Sequence, residues 1–262
     1  MRIAKLKHAS IHWREDGDPE GAALVFANSL GTDLRLWDDV VALLPQGLRL
    51  IRFDMRGHGL SSCPPAPYAL DDLVQDCAGL LDMLEVRDCV FVGLSLGGMV
   101  GQALAATRPD LIRALVLSNT AVKMGDPALW QARIDDVRAD GMAAMADQIM
   151  LRWFGSEFRK SPDLDAWKNM LIRTPAEGYA GACAAIAGCE LSASTARLTL
   201  PALGIAGSED GASPPNQVKA TIDLIPGAKF EMIEGAGHLP CVEAPDHYAS
   251  LLVGFLKEVS HV

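Results

Sequence analysis

A serine, an aspartate and a histidine, each set where an apolar run gives way to a glycine-rich turn, are the residues best placed for chemistry in this 262-residue chain. Ser95 stands in Gly93-Leu94-Ser95-Leu96-Gly97, between a β-branched apolar run and the helical spacing of Met99, Val100, Ala103 and Leu104. A serine on so sharp a strand-to-helix turn must hold strained backbone angles. Glycines two residues to either side let strand and helix crowd together beneath it. Strain of this kind is tolerated where it serves chemistry. A hydroxyl is a poor nucleophile until a base takes its proton, and the base needs an orienting acid. Both follow, each beyond a later strand. Asp210 lies in Gly207-Ser-Glu-Asp210-Gly after the strand 202–206, and His238 in Glu234-Gly-Ala-Gly-His238 after the strand Lys229–Ile233. Glu209 satisfies the same order as Asp210, so position alone leaves the acid open between them. Of the six histidines, only His238 sits on a glycine loop beyond the acid; His247 also follows it, but inside the last helix. A tetrahedral oxyanion needs two fixed donors. The Leu96 N–H, at a helix start, is one. The Leu30 N–H is the other, from the loop Asn28-Ser29-Leu30-Gly31 that follows the early strand Ala22–Ala27.

These residues need a scaffold that brings them together. Two short strands fall within 2–13, followed by strands at Ala22–Ala27, Leu48–Phe53, 89–92, 114–117, 202–206 and Lys229–Ile233. Helical spacing fills 33–44, 70–84, Leu96–Thr107, 215–224 and 245–259. Strands alternating with helices predict an α/β fold with a mostly parallel, doubly wound sheet. From 121 to about 188 the alternation stops and only helical segments appear. Asp126-Pro127 opens one that Gly141 closes, Ser161-Pro162 opens another, and Thr174-Pro175-Ala176-Glu177 reads as a capping box. The expected organisation is a core of residues 1–120 and 190–262 carrying an inserted helical cap, 121–189.

Composition narrows the function. A net charge of −10 argues against a nucleic-acid surface and means that an anionic substrate needs local arginines. Six irregularly spaced cysteines without a Cys-x-x-Cys pair fit free thiols in a reducing cytoplasm. The first residues lack the apolar core of a signal peptide, and no apolar run is long enough to span a membrane. The histidines are too scattered for a zinc set, and no glycine loop has the spacing of a nucleotide site.

Phe53-Asp54-Met-Arg56-Gly57-His58-Gly59-Leu-Ser61 resembles the Asp-x-Arg-Gly-x-Gly-x-Ser stretch of α/β-hydrolases. The serine turn, Gly207-x-x-Asp210 and Gly237-His238 extend that likeness over nearly the whole chain. Within the superfamily the chain is similar to 3-oxoadipate enol-lactonases. The likeness is carried by Phe26-Ala-Asn-Ser-Leu-Gly-Thr-Asp33, Gly93-Leu-Ser-Leu-Gly-Gly-Met99, Val116-Leu-Ser-Asn-Thr-Ala121 and Tyr179-x-x-x-Cys183-Ala-Ala-Ile186. The resemblance implies the α/β-hydrolase fold, Asp210 rather than Glu209 as the acid, and no cofactor. It also implies opening of the enol-lactone of aromatic catabolism to 3-oxoadipate. Where the superfamily commonly has His-Gly before the oxyanion donor, this chain has Asn28-Ser29.

A lactone bearing a carboxylate calls for a cation above the serine. Trp130 and Arg133, three apart on the 126–140 helix, share a face and supply an indole wall and a bidentate partner. Ser29 joins them as a substrate-binding residue, with Arg152 and Trp153 in reserve, while Arg56 is expected to buttress loops. An arginine paired with Asp135 or Asp136 on the surface is the bland alternative. A small anionic lactone is thus the expected partner, and a homo-oligomer is compatible with the sequence. A cap cation facing Ser95 separates this reading from a related esterase, carbon–carbon hydrolase or perhydrolase, and the intact Ser95, Asp210 and His238 set weighs against a hydrolase-fold receptor without turnover.

Overall fold

A computed structural model describes residues 1–262. Eight strands form one sheet: β1 (Arg2–Lys5), β2 (Ser10–Gly17), β3 (Ala22–Ala27), β4 (Leu48–Phe53), β5 (Cys89–Leu94), β6 (Ile112–Ser118), β7 (Ala202–Gly207) and β8 (Lys229–Ile233). Their spatial order is β1-β2-β4-β3-β5-β6-β7-β8. The polar, alternating β2 pairs antiparallel with β1 and β4 at one side, and β3 to β8 run parallel. All six residues of β5 and of β7 are buried, as central parallel strands covered on both faces must be. The carboxyl ends of β3, β5, β6, β7 and β8 therefore meet along one rim.

Helices α1 (Asp38–Ala42), α2 (Leu70–Met83), α3 (Leu96–Thr107), α8 (Pro215–Ile222), α9 (Pro240–Glu243) and α10 (Pro245–Glu258) flank the sheet. Between β6 and β7 the chain runs through α4 (Pro127–Trp153), a 3-10 turn (Phe158–Lys160), α5 (Leu164–Ile172), α6 (Ala176–Ala187) and the short α7 (Ser192–Thr195), with no strand.

Two local expectations are corrected and one is met. The 33–44 segment is a 3-10 turn, Leu34–Trp37, followed by the short α1, not one helix. Trp37 leaves helical geometry (φ −104°, ψ 1°) because its buried indole donates from Nε1 to Asn28 Oδ1 at 2.9 Å. Gly141 closes the first segment of α4 as expected: it takes φ 77°, ψ 172°, and a second helical segment starts directly after the kink. The capping box at Thr174 does not form: α6 starts one residue later with Pro175 at the N-cap position, and both side chains are engaged elsewhere. Thr174 Oγ1 donates to Gly31 O, and Glu177 pairs with both ends of the Arg138 guanidinium.

The helical block sits on the core through backbone contact. A Cβ on Gly178 of α6 would lie 2.2 Å from the Gly57 carbonyl oxygen, and one on Gly181 would lie 2.7 Å from the Tyr68 ring. Arg56 holds the core side of this seam. It is buried, forks onto Asp76 at 2.6 and 2.9 Å, and lies over the Tyr68 ring. Gly178→Ala is expected to destabilise by roughly 1–3 kcal/mol through overpacking, read as a lowered urea midpoint with an unchanged slope.

Candidate active site

Ser95 follows β5 with φ 56° and ψ −116°. The glycines around it admit no side chain. A Cβ on Gly93 would lie 2.4 Å from Gly97 O, and one on Gly97 would lie 2.2 Å from Ala27 O. The turn is held by Ser95 N–H donating to Ser118 O at 2.9 Å and Thr120 Oγ1 donating to Ser95 O at 2.7 Å.

Asp210 is fully enclosed at the end of β7. Its Oδ1 accepts the Ala212 and Ser213 amides at 2.7 and 3.0 Å, and its Oδ2 accepts Asn119 Nδ2 at 2.8 Å. His238 Nδ1 lies 2.9 Å from Oδ2 and 3.1 Å from Oδ1. That contact assigns the Nδ1 proton to the aspartate side and leaves Nε2 facing Ser29 Oγ at 3.5 Å. Glu209, the competing acid, points away and holds Ser156 at the surface. Ser95 and His238 line the same cavity but share no hydrogen bond, the loose spacing usual before a substrate tightens such a pair.

The cavity, about 640 Å³ counting its open mouth, is also lined by Ser29, Leu30, Trp130, Arg133, Arg152 and Trp153. Leu96 is buried as the first residue of α3, directly after Ser95. Neither the Leu30 nor the Leu96 amide donates to any group of the chain. Asn28 fixes the first of these donors: its side chain spans Trp37 Nε1 and the Phe53 carbonyl, and its own carbonyl accepts Gly97 N–H at 3.0 Å.

Arg133 forms no ion pair with Asp135, Asp136 or any other carboxylate. It lies 5.0 Å from the Trp130 ring centroid and beside the buried Tyr179 hydroxyl. Arg152, exposed at the mouth, is likewise unpaired. Partial burial, then the neighbouring Arg133 charge, lowers its pKa. The two cations that were first choice and reserve thus share one wall.

Residues 22–245 match the family described as alpha/beta hydrolase fold. The chain belongs to the α/β-hydrolase family. It is 34% identical over 250 residues to 3-oxoadipate enol-lactonase 2 of Acinetobacter baylyi, covering 95% of this chain and 93% of that one. The crystal structure of the enol-lactonase from Burkholderia xenovorans LB400 is similar at a TM-score of 0.94 and 36% identity, over 98% of this chain and 100% of that one. A thermophilic esterase from Thermogutta terrifontis, solved with malate bound, is similar at 0.93 and 25% identity over the full length of both.

Two residues of this hydrolase-family site escape a reading of the sequence. Asn119, with φ 47° at the end of β6, donates to Asp210 Oδ2 at 2.8 Å and to Gly237 O at 3.3 Å, and accepts from Ser118 Oγ at 2.9 Å. The only signal for it was its place at a strand's carboxyl end. Glu243 is half-buried behind the His238 loop, and burial pushes its carboxyl up to about 7 despite two amide hydrogen bonds.

Asn119→Ala should leave Asp210 Oδ2 short of a donor and lower kcat about 10-fold or more with KM little changed, measured on p-nitrophenyl acetate. Glu243 binds its proton more tightly folded than unfolded. Its contribution to stability is therefore complete below the unfolded carboxyl range near pH 4.5 and is lost as pH rises through about 7. Denaturant melts between pH 4.5 and 8 should show that decline in the wild type and lack this component in Glu243→Gln.

Proposed function

We propose that this protein opens a small acidic enol-lactone, the class to which 3-oxoadipate enol-lactone belongs, through a serine-bound acyl intermediate. The observation that carries the reading is the pair of arginines, Arg133 and Arg152, that line the Ser95 cavity without a carboxylate partner. In a chain of net charge −10, two unneutralised guanidiniums at one cavity favour an anionic ligand. The names of the relatives in Acinetobacter and Burkholderia point the same way.

The lactone carboxylate pairs with Arg133, and Trp130 and Trp153 wall the ring. His238 Nε2 takes the proton of Ser95 Oγ as that oxygen adds to the lactone carbonyl. The Leu30 and Leu96 amides receive the oxyanion. Collapse breaks the ring C–O bond. The enolate leaves more readily than an alkoxide, takes at carbon the proton that His238 received from Ser95, and becomes the ketone, leaving Nε2 free to accept again. Water then gives a proton to His238 and attacks the acyl-enzyme, freeing Ser95 and a new carboxylate. In this scheme the 121–189 helical block is the cap, supplying Trp130, Arg133, Arg152 and Trp153, while the sheet rim supplies Ser95, Asp210, His238 and the Ser29–Leu30 loop.

The purified enol-lactone should be consumed, followed as loss of its ultraviolet absorbance. Ser95→Ala should abolish that turnover. Arg133→Gln should raise KM for the lactone about 10- to 100-fold, the worth of a charge-assisted pair, with kcat for neutral p-nitrophenyl acetate within two-fold. Simple neutral esters reacting far better than the lactone would move the assignment to an esterase.

A further inference from the structure

Behind the cavity, the His238 loop is pressed against the end of α4 with no side chain between them. A Cβ on Gly237 would lie 2.7 Å from Trp153 O and 2.8 Å from Gly155 N, and one on Gly155 would lie 2.2 Å from Gly235 O. Trp153 O accepts the His238 and Leu239 amides at 2.7 and 3.3 Å. One carboxylate joins the two loops from the far side. Glu243 Oε1 accepts Gly237 N–H at 2.7 Å, and Glu243 Oε2 accepts Gly155 N–H at 2.8 Å.

The charges facing Glu243 are all acidic: Glu209 and Asp210 act on it, and Glu157 and Glu234 line the same shallow depression. Even a half-buried carboxylate without a cation is costly. Tying two loops together needs only a neutral acceptor. Gripping two N–H donors at once, with one oxygen each, needs the carboxylate.

We infer that Glu243 is a positioning residue for His238. Its carboxylate bridges the Gly155 and Gly237 amides, so that the strap carrying Arg152 and Trp153 to the cavity wall also sets the imidazole against Ser95. The inference rests on His238 acting as the base for Ser95, and is independent of which ester or lactone is cleaved.

Glu209 provides the comparison, since it ties the same strap without touching the His238 loop through its side chain. Its Oε2 accepts Ser156 N–H at 2.7 Å and its Oε1 accepts Ser156 Oγ at 3.1 Å. With p-nitrophenyl acetate, Glu243→Gln should lower kcat per folded protein about 10-fold or more while KM stays within two-fold, as a displaced base would. Glu243→Asp, keeping the charge with a shorter reach, should recover part of the loss. Glu209→Gln should keep kcat within two-fold, whatever its effect on the thermal midpoint. Folded protein is counted by tryptophan fluorescence melts at the assay temperature. Should Glu243→Gln not fold, Glu243→Asp against Glu209→Gln carries the same comparison. Equal kcat losses at positions 209 and 243, or a Glu243 variant within two-fold of wild type, would overturn the inference. Wild-type turnover no faster than Ser95→Ala would instead overturn the role of Ser95 and His238, and this inference with it.

Discussion

Beneath Ser95 three stretches of backbone meet where no side chain fits. The carbonyl of Ala27 at the end of β3, the Gly93 position of β5 and the first turn of α3 lie within bare contact of one another. That crowding forces Ser95 into φ 56°, a conformation costing roughly 1–3 kcal/mol. The fully buried β5 and its hydrogen bonds to β3 and β6 hold it there. The same contact fixes the neighbouring loop. Asn28 O accepts Gly97 N–H, so the amide of Leu30 is placed relative to the start of α3 by the turn itself. The hydroxyl and the two free amides are thus not three separately solved problems. They are one consequence of close backbone approach.

Electrostatics divide the site into two halves. On the sheet rim Asp210 and Arg56 are both answered. Asp210 is enclosed by two amides, the Asn119 amide and His238, so its charge stays oriented toward the imidazole. Arg56 is buried against Asp76, which makes it part of the scaffold. On the helical block the charges facing the cavity are left unanswered, although the chain carries ten more acidic than basic groups. A protein with so many carboxylates could neutralise Arg133 readily, with Asp135 and Asp136 nearby in sequence. That it does not is the feature from which a ligand's charge follows.

What the sequence made legible follows from where local pattern and tertiary demand agree. The bounds of β3, β4, α3 and β8 were readable because an apolar run or a helical period stops at a glycine, proline or aspartate that also stops the element in space. His238 was readable because strand order and a glycine loop constrain it, whereas the same order fits Glu209 as well as Asp210 and only the family resemblance selects between them. The failures have physical causes too. The 33–44 segment has helical spacing, but the Trp37 indole is drawn to Asn28, a contact no periodicity records. Thr174 and Glu177 have capping-box spacing, but Gly31 and Arg138 compete for their side chains. Asn119 meets Asp210 across 91 positions and Glu243 meets Gly155 across 88, contacts that no local pattern records.

Arg133 and Arg152 show why the helical block needs its break. They stand 19 positions apart in α4. A straight helix rising 1.5 Å per residue would separate them by about 28 Å, too far to line one cavity of this size. Gly141 lies between them with φ 77°, a conformation that strains any residue with a side chain, and the space around its Cα is empty. No packing contact therefore demands glycine there; the backbone angle does. The kink turns one long helix into two segments whose far ends return to the same wall, Trp130 and Arg133 on the first and Arg152 and Trp153 on the second. The second segment then runs directly into the Trp153–Gly155 strap on the His238 loop. One glycine's torsion angle thus sets where both cations stand, and the strap joins that placement to the histidine beneath them.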